Sequence, residues 1–150
     1  MPTDNRLSRM LHVLIHMDRH EGAPLTSGTI SEMLGTNPVV VRRTMAGLKA
    51  AGYVSSVKGH GGGWTLARPL DQITLLDIHE ALGNPKIFAI GLSDDDPACL
   101  VEQAVNAAMT ETLRDAERQL RARLAKVTIG SIARDFSRSY AHVLKTGTPT

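Results

Sequence analysis

The sequence predicts a mainly α-helical protein with a small β-hairpin, namely a winged helix-turn-helix domain followed by a long dimerisation helix. Three observations predict this fold class. Apolar residues recur at helical spacing through most of the 150 residues. Two short β-rich segments flank a glycine-rich run near the middle of the chain. A helical pattern then extends over residues 97–127. The apolar side of so long a helix is more than the rest of a chain of this size can bury.

Three helices are predicted before the hairpin. Residues 5–20 carry Leu and Met at three- and four-residue spacing, which places them on one helix face. A short helix is predicted over 26–34, since it begins with good N-cap residue types. A third helix is predicted over 37–51, where Asn37 can cap it and Pro38 suits its first turn.

The helical period then changes to two β-rich segments, residues 53–58 and 64–68. The run at 59–63 contains four glycines and can form a tight tip between two strands. The glycines join two strands and no Lys-Ser/Thr pair follows them, so a nucleotide-binding loop is not favoured. Three helices and a hairpin in this order predict a winged helix-turn-helix.

A fourth helix is predicted over 75–82, because Thr74 and Asp77 form a capping-box pattern at its start. We expect Trp64, which directly follows the glycines, to pack the wing against this helix. Residues 84–96 show no period and predict an irregular connector.

The long helix is predicted to begin at Pro97, with Asp96 as its cap, and to extend roughly 45 Å. Glu117 and Arg121 are expected to pair on its outer side. The natural partner for its apolar stripe is the same helix of a second chain. The predicted dimer-interface residues are Val105, Met109, Leu113, Ala116, Leu120 and Leu124.

The chain is therefore divided into three parts. Residues 1–83 are expected to form the winged helix-turn-helix domain with its supporting helix, and residues 84–96 the connector. Residues 97–150 are expected to hold the dimerisation helix and a last helix, which is predicted from about 129 to 144.

Positive charge is concentrated at the front of the chain. Residues 1–68 contain eight Lys/Arg and four Asp/Glu, whereas residues 69–150 contain nine and eleven. This asymmetry favours a polyanionic partner for the first part. The absence of a long apolar run and of a secretory signal pattern, together with a single cysteine, predicts a cytoplasmic protein with no membrane contact.

DNA binding requires groups that hold phosphates and a few side chains that reach base edges. The first turns of the helix at 37–51 and the hairpin tip are expected to supply both. Each candidate has a plainer alternative: a solvated helix face, a helix cap or a hairpin turn. The predicted DNA-binding residues are Thr26, Ser27, Thr36, Asn37, Val39, Val40, Arg42, Arg43, Lys58 and His60.

Outside that region Cys99 is the one candidate for redox chemistry, and an inert thiol is the alternative. His12, His16 and His20 lie on one helix face, but they lack a Cys or acidic partner, so solvated histidines are favoured over a metal site. No catalytic motif is present, and we expect the protein not to be an enzyme.

Several runs together resemble the Rrf2 family of winged helix-turn-helix transcriptional regulators, and in particular its cluster-free, YwnA-like branch. The resemblance covers about residues 5–135. It depends on the combination of TNPVVVRR at 36–43, the Leu48-x-x-Ala51-Gly52 pattern, GHGGGWTLARP at 59–69 and ITLLD at 73–77.

The resemblance implies a homodimer joined by the helix at 97–127, with DNA bound by residues 38–51 and 58–65. Cluster-binding members of the family carry three cysteines before the dimer helix. This chain has only Cys99, which matches the last of them, so we expect no iron–sulfur cluster and no other cofactor. Thiol redox sensing through Cys99 stays open.

The sequence thus predicts a sequence-specific transcriptional regulator that binds a double-stranded DNA operator as a homodimer. Repression is favoured over activation. Two alternatives stay open. One is a winged-helix module that binds protein instead of DNA. The other is a regulator that responds to a metal or a small molecule through its histidines or through residues 86–99.

Overall fold

Six α-helices and one β-hairpin form the fold that the computed structural model describes for residues 3–147. A 3-10 turn over Leu70–Gln72, which the sequence analysis did not predict, connects the hairpin to the fourth helix. The elements are α1 (Arg6–Arg19), α2 (Ser27–Leu34), α3 (Pro38–Ala50), β1 (Val54–Val57), β2 (Gly63–Leu66), α4 (Leu75–Ala81), α5 (Leu100–Leu124) and α6 (Ile129–Thr146).

Local capping explains where several helices begin. The Thr26 hydroxyl accepts a hydrogen bond from the Thr29 N–H at 3.0 Å, and the Asn37 carboxamide oxygen accepts one from the Val39 N–H at 2.8 Å. Thr74 and Asp77 form the predicted capping box at the start of α4. These short polar side chains satisfy N–H groups that the first helical turn leaves without partners.

The two strands form an antiparallel hairpin whose register extends from Val54 opposite Leu66 to Val57 opposite Gly63. The hairpin follows α3 directly, and Val54 is buried. The helix-turn-helix formed by α2 and α3 therefore carries a wing, as predicted.

The hydrophobic core lies among α1, α2, α3, the hairpin, the 3-10 turn, α4 and the start of α6. Its fully buried side chains include Leu14, Ile30, Met45, Leu48 and Ile78. Aliphatic side chains and methionines fill this core, since the whole chain contains only five aromatic residues of the Phe, Trp and Tyr types. Helix α5, by contrast, has no buried residue.

Helix α5 begins later than predicted. It begins at Leu100, three residues after Pro97, and Cys99 occupies the N-cap position. The Asp96 carboxylate accepts from the Ala98 N–H at 3.3 Å and the Asp96 carbonyl from the Cys99 N–H at 2.9 Å. Asp96 therefore caps a separate turn, and Cys99 lies before the first helical turn instead of within it.

The end of α5 is tied back to the first part of the chain. The Val127 carbonyl accepts a hydrogen bond from the Leu75 N–H at 3.0 Å, and Thr74 and Thr128 form an isolated β-bridge. Helix α5 ends at Leu124, three residues before this contact and before its predicted end at 127.

Arg121 also connects α5 to α4. Its guanidinium donates to the Glu80 carboxylate at 2.8 Å and to the Asn84 carboxamide oxygen at 2.7 Å. The predicted pairing of Arg121 with Glu117 is therefore wrong, because tertiary packing offers the side chain two acceptors outside its own helix. Within the described range 3–147, no helix is long and apolar enough to cross a bilayer.

Candidate nucleic-acid interface

Helix α3 presents a mixed apolar and cationic surface at its N-terminal end. Val39 and Val40 are 51% and 48% exposed, and Arg42 and Arg43 are exposed as well. In the part of the chain that is described, neither arginine takes part in an ion pair. The two guanidinium groups are thus available to an anionic partner.

The opposite face of α3 fixes this orientation. Val41, Met45 and Leu48 are buried at spacings of four and three residues. This period directs the intervening residues toward solvent. The two arginines follow one another and therefore point about 100° apart around the helix axis, so they can meet different parts of a ligand.

The N-terminus of α2 carries a group of hydroxyls. The Thr26 hydroxyl caps the helix and also donates to the Thr29 hydroxyl at 3.0 Å. Thr29 is exposed but was not among the residues predicted from the sequence. The signal that could have identified it is the run Thr26-Ser27-Gly28-Thr29, because a hydroxyl at the third position after a cap lies beside the cap.

Thr36 belongs to the turn between α2 and α3. Its N–H donates to the Ser31 carbonyl at 3.0 Å, and its side chain is half-buried. This hydrogen bond closes the C-terminal turn of α2 around Gly35, which has a left-handed conformation, and Asn37 lies exposed at the start of α3.

The tip of the wing depends on its glycines. A Cβ atom on Gly62 would lie 2.4 Å from the Val57 carbonyl oxygen and 2.8 Å from that of Gly59. Gly61 has a φ of +72°, which glycine adopts at little cost. The resulting tight tip exposes Lys58 and His60 on either side of Gly59.

Trp64 ties the wing to the start of α2. Its backbone exchanges two hydrogen bonds with Leu25, at 2.8 and 3.0 Å, and its indole N–H donates to the Ser27 hydroxyl at 3.0 Å. The sequence analysis expected Trp64 to pack the wing against α4, whereas these hydrogen bonds join it to α2. Ser27 consequently holds the indole, and the wing and the α2 hydroxyls form one connected surface.

Lys49 makes a second link of this kind, because its ammonium donates to the Ser56 hydroxyl on β1 at 2.7 Å. Hydrogen bonds thus connect the wing both to the start of α2 and to the C-terminal end of α3. We refer to this arrangement as the reading surface, and it consists of Thr26, Ser27, Thr29, Thr36, Asn37, Val39, Val40, Arg42, Arg43, Lys58 and His60.

The residues predicted for a dimer interface divide into two groups. Val105 is exposed, and Met109, Leu113 and Ala116 are partly exposed along α5. Leu120 is 38% exposed and Leu124 is partly exposed, and both also line a pocket between α1, α4 and α5. The exposed apolar surface also extends to Leu100 and Val101, which are 78% and 73% exposed and were not predicted.

Helix α6 adds another exposed apolar stripe. Phe136 and Tyr140 stack with ring centroids 5.9 Å apart, and the guanidinium of Arg19 lies over both rings. Leu144 continues the stripe one turn further and is exposed. The sequence analysis predicted the last helix but not this exposed stripe.

Two of the three histidines on α1 are in contact. The Nε2 atoms of His12 and His16 are 2.9 Å apart, and burial together with the positive potential of neighbouring groups lowers the pKa of His16. No group of three His, Cys, Asp or Glu side chains suited to a metal ion is found within residues 3–147. Cys99 is a free thiol of intermediate exposure at the start of α5.

Comparisons with known proteins agree with this arrangement. The profile of the Rrf2 family, described as iron-dependent transcriptional regulators, matches residues 3–135. YwnA of Bacillus subtilis (strain 168), assigned as an HTH-type transcriptional regulator, is 30% identical over 132 residues, which span 86% of this chain and 95% of YwnA.

Two solved structures are similar to this chain at the level of the fold. A protein from Lactobacillus plantarum assigned as a transcriptional regulator has a TM-score of 0.74 at 23% identity, covering 89% of this chain and 90% of the other. CymR, the global cysteine regulator of B. subtilis, has a TM-score of 0.59 at 24% identity, covering 89% and 98%. The predicted fold class is confirmed.

Proposed function

The chain belongs to the Rrf2 family of transcriptional regulators, and we propose that it is a homodimeric, cytoplasmic repressor that binds a two-fold DNA operator through its reading surface. The observation that carries this proposal is the N-terminal end of α3, where Arg42 and Arg43 are exposed beside the exposed Val39 and Val40. A helix that enters the major groove needs this combination of cationic donors and apolar contacts.

The two arginines have separate roles in this proposal. An arginine that reaches the groove floor can bind the O6 and N7 atoms of a guanine with two donors, and such a contact contributes about 1–3 kcal/mol of discrimination. The other arginine holds a phosphate. Thr26 and Thr29 hydroxyls at the α2 N-terminus supply further phosphate contacts, and Lys58 and His60 on the wing reach an adjacent groove.

Dimerisation follows from the exposed apolar residues of α5. Leu100, Val101 and Val105 lie in the N-terminal part of this helix, and the helix has no buried residue in the single chain. A second copy that covers this surface across a two-fold axis would place two α3 helices side by side. The operator should then contain two half-sites in inverted orientation.

The test is a fluorescence-anisotropy titration of the reduced protein with its own upstream promoter duplex and with a scrambled duplex. We expect tight binding to the promoter, a steep loss of affinity with added salt, and a large loss in the R42A/R43A variant. A matched control removes the same charge from α6 in an R138A/K145A variant, and this variant should bind as the wild type does.

Promoter binding that survives the R42A/R43A change would overturn the proposed interface. If no operator is found and only weak binding to all duplexes is measured, unaffected by those arginines, a protein-binding winged helix replaces the DNA-binding proposal. A half-length operator should bind one dimer weakly, since only one reading surface can engage.

An iron–sulfur cluster is not part of this proposal, although the family is described as iron-dependent. Such clusters are held mainly by several cysteine thiolates. The chain has one cysteine, and no three-ligand group of His, Cys, Asp or Glu occurs in the described range of the chain. The side chains present therefore do not fit a cluster.

The proposed function includes a redox response, in which oxidation of the Cys99 thiol changes DNA binding. The thiol is partly exposed at the start of α5, next to the surface assigned to the dimer. Hydrogen peroxide can join two such thiols as a disulfide with release of two water molecules. Peroxide should then lower promoter affinity reversibly in the wild type and leave a C99S variant unchanged, and equal responses of both proteins would exclude this role.

A further inference from the structure

Two histidines on α1 form a close pair that the reading surface does not use. His12 and His16 lie one helical turn apart, with their ring centroids 4.7 Å apart and their Nε2 atoms 2.9 Å apart. The sequence analysis favoured solvated histidines here, because a spacing of four residues shows only that two side chains share a helix face. The structure adds that the two Nε2 atoms face each other.

Two imidazole nitrogens at this distance need a proton or a metal ion between them. A neutral imidazole presents either an N–H or a lone pair at Nε2, and two lone pairs that face each other repel. A proton on one nitrogen gives an N–H···N hydrogen bond, whereas a metal ion bound by both nitrogens gives a chelate. The proton and the metal ion therefore compete for the same position.

The separation of the two nitrogens indicates the kind of ion. Nitrogen atoms that bind a metal at about 2.0–2.1 Å are about 2.9 Å apart when they subtend a right angle at the ion, and about 3.3 Å apart in a tetrahedron. The 2.9 Å between the two Nε2 atoms corresponds to the right angle. Copper(II) and nickel(II) favour such square-planar or tetragonal coordination, whereas zinc favours a tetrahedron.

Both rings are accessible to solvent, and one of them is held in the form that binds metal. His12 is exposed and His16 is partly exposed, so an ion can reach the pair without a change in the fold. Partial burial, followed by the positive charges of His12, Arg19 and His20, lowers the pKa of His16. The neutral ring, which is the form that binds a metal ion, is therefore favoured at neutral pH.

The two arginines nearest the pair on α1 have partners of their own. The Arg9 guanidinium, one turn before His12, donates a hydrogen bond to the Leu34 carbonyl at the end of α2. The Arg19 guanidinium lies 4.8 Å from the centre of the Phe136 ring on α6. Both cations are thus held by other helices and not by the imidazole pair.

We propose that His12 and His16 bind one divalent copper or nickel ion through their Nε2 atoms, in two adjacent positions of a square-planar or tetragonal site. No third His, Cys, Asp or Glu completes a metal-binding group with them within residues 3–147. Water or a small exchangeable ligand then fills the remaining positions, as in open metal sites. The pair lies outside the reading surface, and the inference does not rest on the proposed function.

The experiment is a titration of the full-length protein, without DNA, with Ni²⁺ and Zn²⁺ by isothermal titration calorimetry and with Cu²⁺ by electron paramagnetic resonance. A C99S background removes the only thiol, which would compete as a soft ligand. We expect one tight site per chain that binds Cu²⁺ more tightly than Ni²⁺ and Ni²⁺ more tightly than Zn²⁺. The Cu²⁺ spectrum should be axial and show coupling to two nitrogens.

Three single substitutions in this background locate the site. H12Q should weaken Ni²⁺ binding at least tenfold, because loss of one ligand removes the intramolecular step of chelation, and H16Q should do the same. H20Q is the matched control and should bind as its parent does, since His20 is exposed one turn further along the same face. Because His12 is exposed, H12Q leaves the core unchanged, and circular dichroism checks that each variant is folded.

The outcomes separate a chelate from a shared proton. Coupling of Cu²⁺ to two nitrogens in the parent, and to one in H12Q and in H16Q, supports the chelate. If no metal binds, if H12Q keeps the affinity of its parent, or if H20Q loses as much affinity as H12Q, the metal site is wrong. Zn²⁺ binding as tight as that of Ni²⁺ overturns the right-angle geometry. Promoter binding takes no part in these measurements, so failure of the metal site and failure of the proposed function are distinguishable.

Discussion

The winged domain and the two C-terminal helices differ in how their apolar residues are covered. In the winged domain, Leu14, Ile30 and Leu48 are fully buried by neighbours from the same chain. In α5 no residue is buried, and α6 buries only Ile129 and Gly130 at its start. The first region carries its own hydrophobic core, whereas the second exposes apolar surface of the kind that a partner covers.

This difference indicates that the stability of the single chain and its assembly with a second chain depend on different regions. Burial of aliphatic side chains is the main favourable term in folding, so the stability of the single chain comes mostly from the winged domain. The exposed residues of α5 and α6 contribute little until another surface removes them from water. Substitutions in the winged domain should therefore change mainly the free energy of unfolding, and substitutions on the exposed faces of α5 and α6 mainly the assembly of two chains.

The largest effect is expected from L48A. Leu48 is fully buried on α3, and deletion of its side chain should lower the free energy of unfolding by about 2–5 kcal/mol. Urea denaturation followed by circular dichroism measures this change. L144A makes the same chemical change at an exposed position of α6, and a loss of similar size there would remove the distinction between the two regions.

Assembly should respond to charges placed on α5. A V101E/V105E variant puts two carboxylates on the exposed apolar side of the helix and should raise the dimer dissociation constant at least tenfold, or about 1.4 kcal/mol. Sedimentation equilibrium measures the constant. Q103E/A107E adds the same charges on the opposite side of the helix, and dimers that weaken equally in both variants would contradict the assigned surface.

The wing should be sensitive to one methyl group. In G62A the new Cβ would meet the Val57 carbonyl oxygen, so the tip must change shape and promoter affinity should fall by about tenfold. The matched control is G91A in the connector, where the added atom meets nothing within 4 Å. Anisotropy titration of both variants compares them, and normal affinity of G62A would show that the wing tip does not contact DNA.

The smallest effect on stability is expected from a substitution at the contact that joins the two regions. Arg121 holds α5 to Glu80 on α4, but the pair is partly exposed, so solvent screens it. R121M should lower the free energy of unfolding by no more than about 1 kcal/mol. Urea denaturation measures it beside R118M, whose ion pair with Asp115 is more exposed. A loss as large as that of L48A would mean that this contact supports the core.

Much of the fold was predictable because its signals are local. Asn37 caps α3 through an N–H two residues away, and Thr74 and Asp77 cap one another at a spacing of three. The alternation of buried Val41 and Met45 with exposed Arg42 and Arg43 follows from the helical period alone. Each of these features depends on residues within one or two helical turns, and so it can be predicted from the local sequence.

The contacts that the sequence analysis did not predict join distant residues. Trp64 and Ser27 are 37 positions apart in the chain, and Arg121 and Glu80 are 41 apart. Arg121 had a plausible nearer partner in Glu117, and only the packing of whole elements decided against it. The start of α5 also moved, because a separate turn at Asp96 satisfied the N–H groups that a helix would have used.

The sequence by itself determined the order of the elements, the caps of α2, α3 and α4, and the exposed arginines, since periodicity and capping act over a few residues, and its combined motifs indicated the family. Only the tertiary structure decided that Trp64 joins the wing to α2 and that Arg121 joins α5 to α4. The physical reason is that such contacts form when separate elements pack together, and no local pattern encodes which side chains then meet.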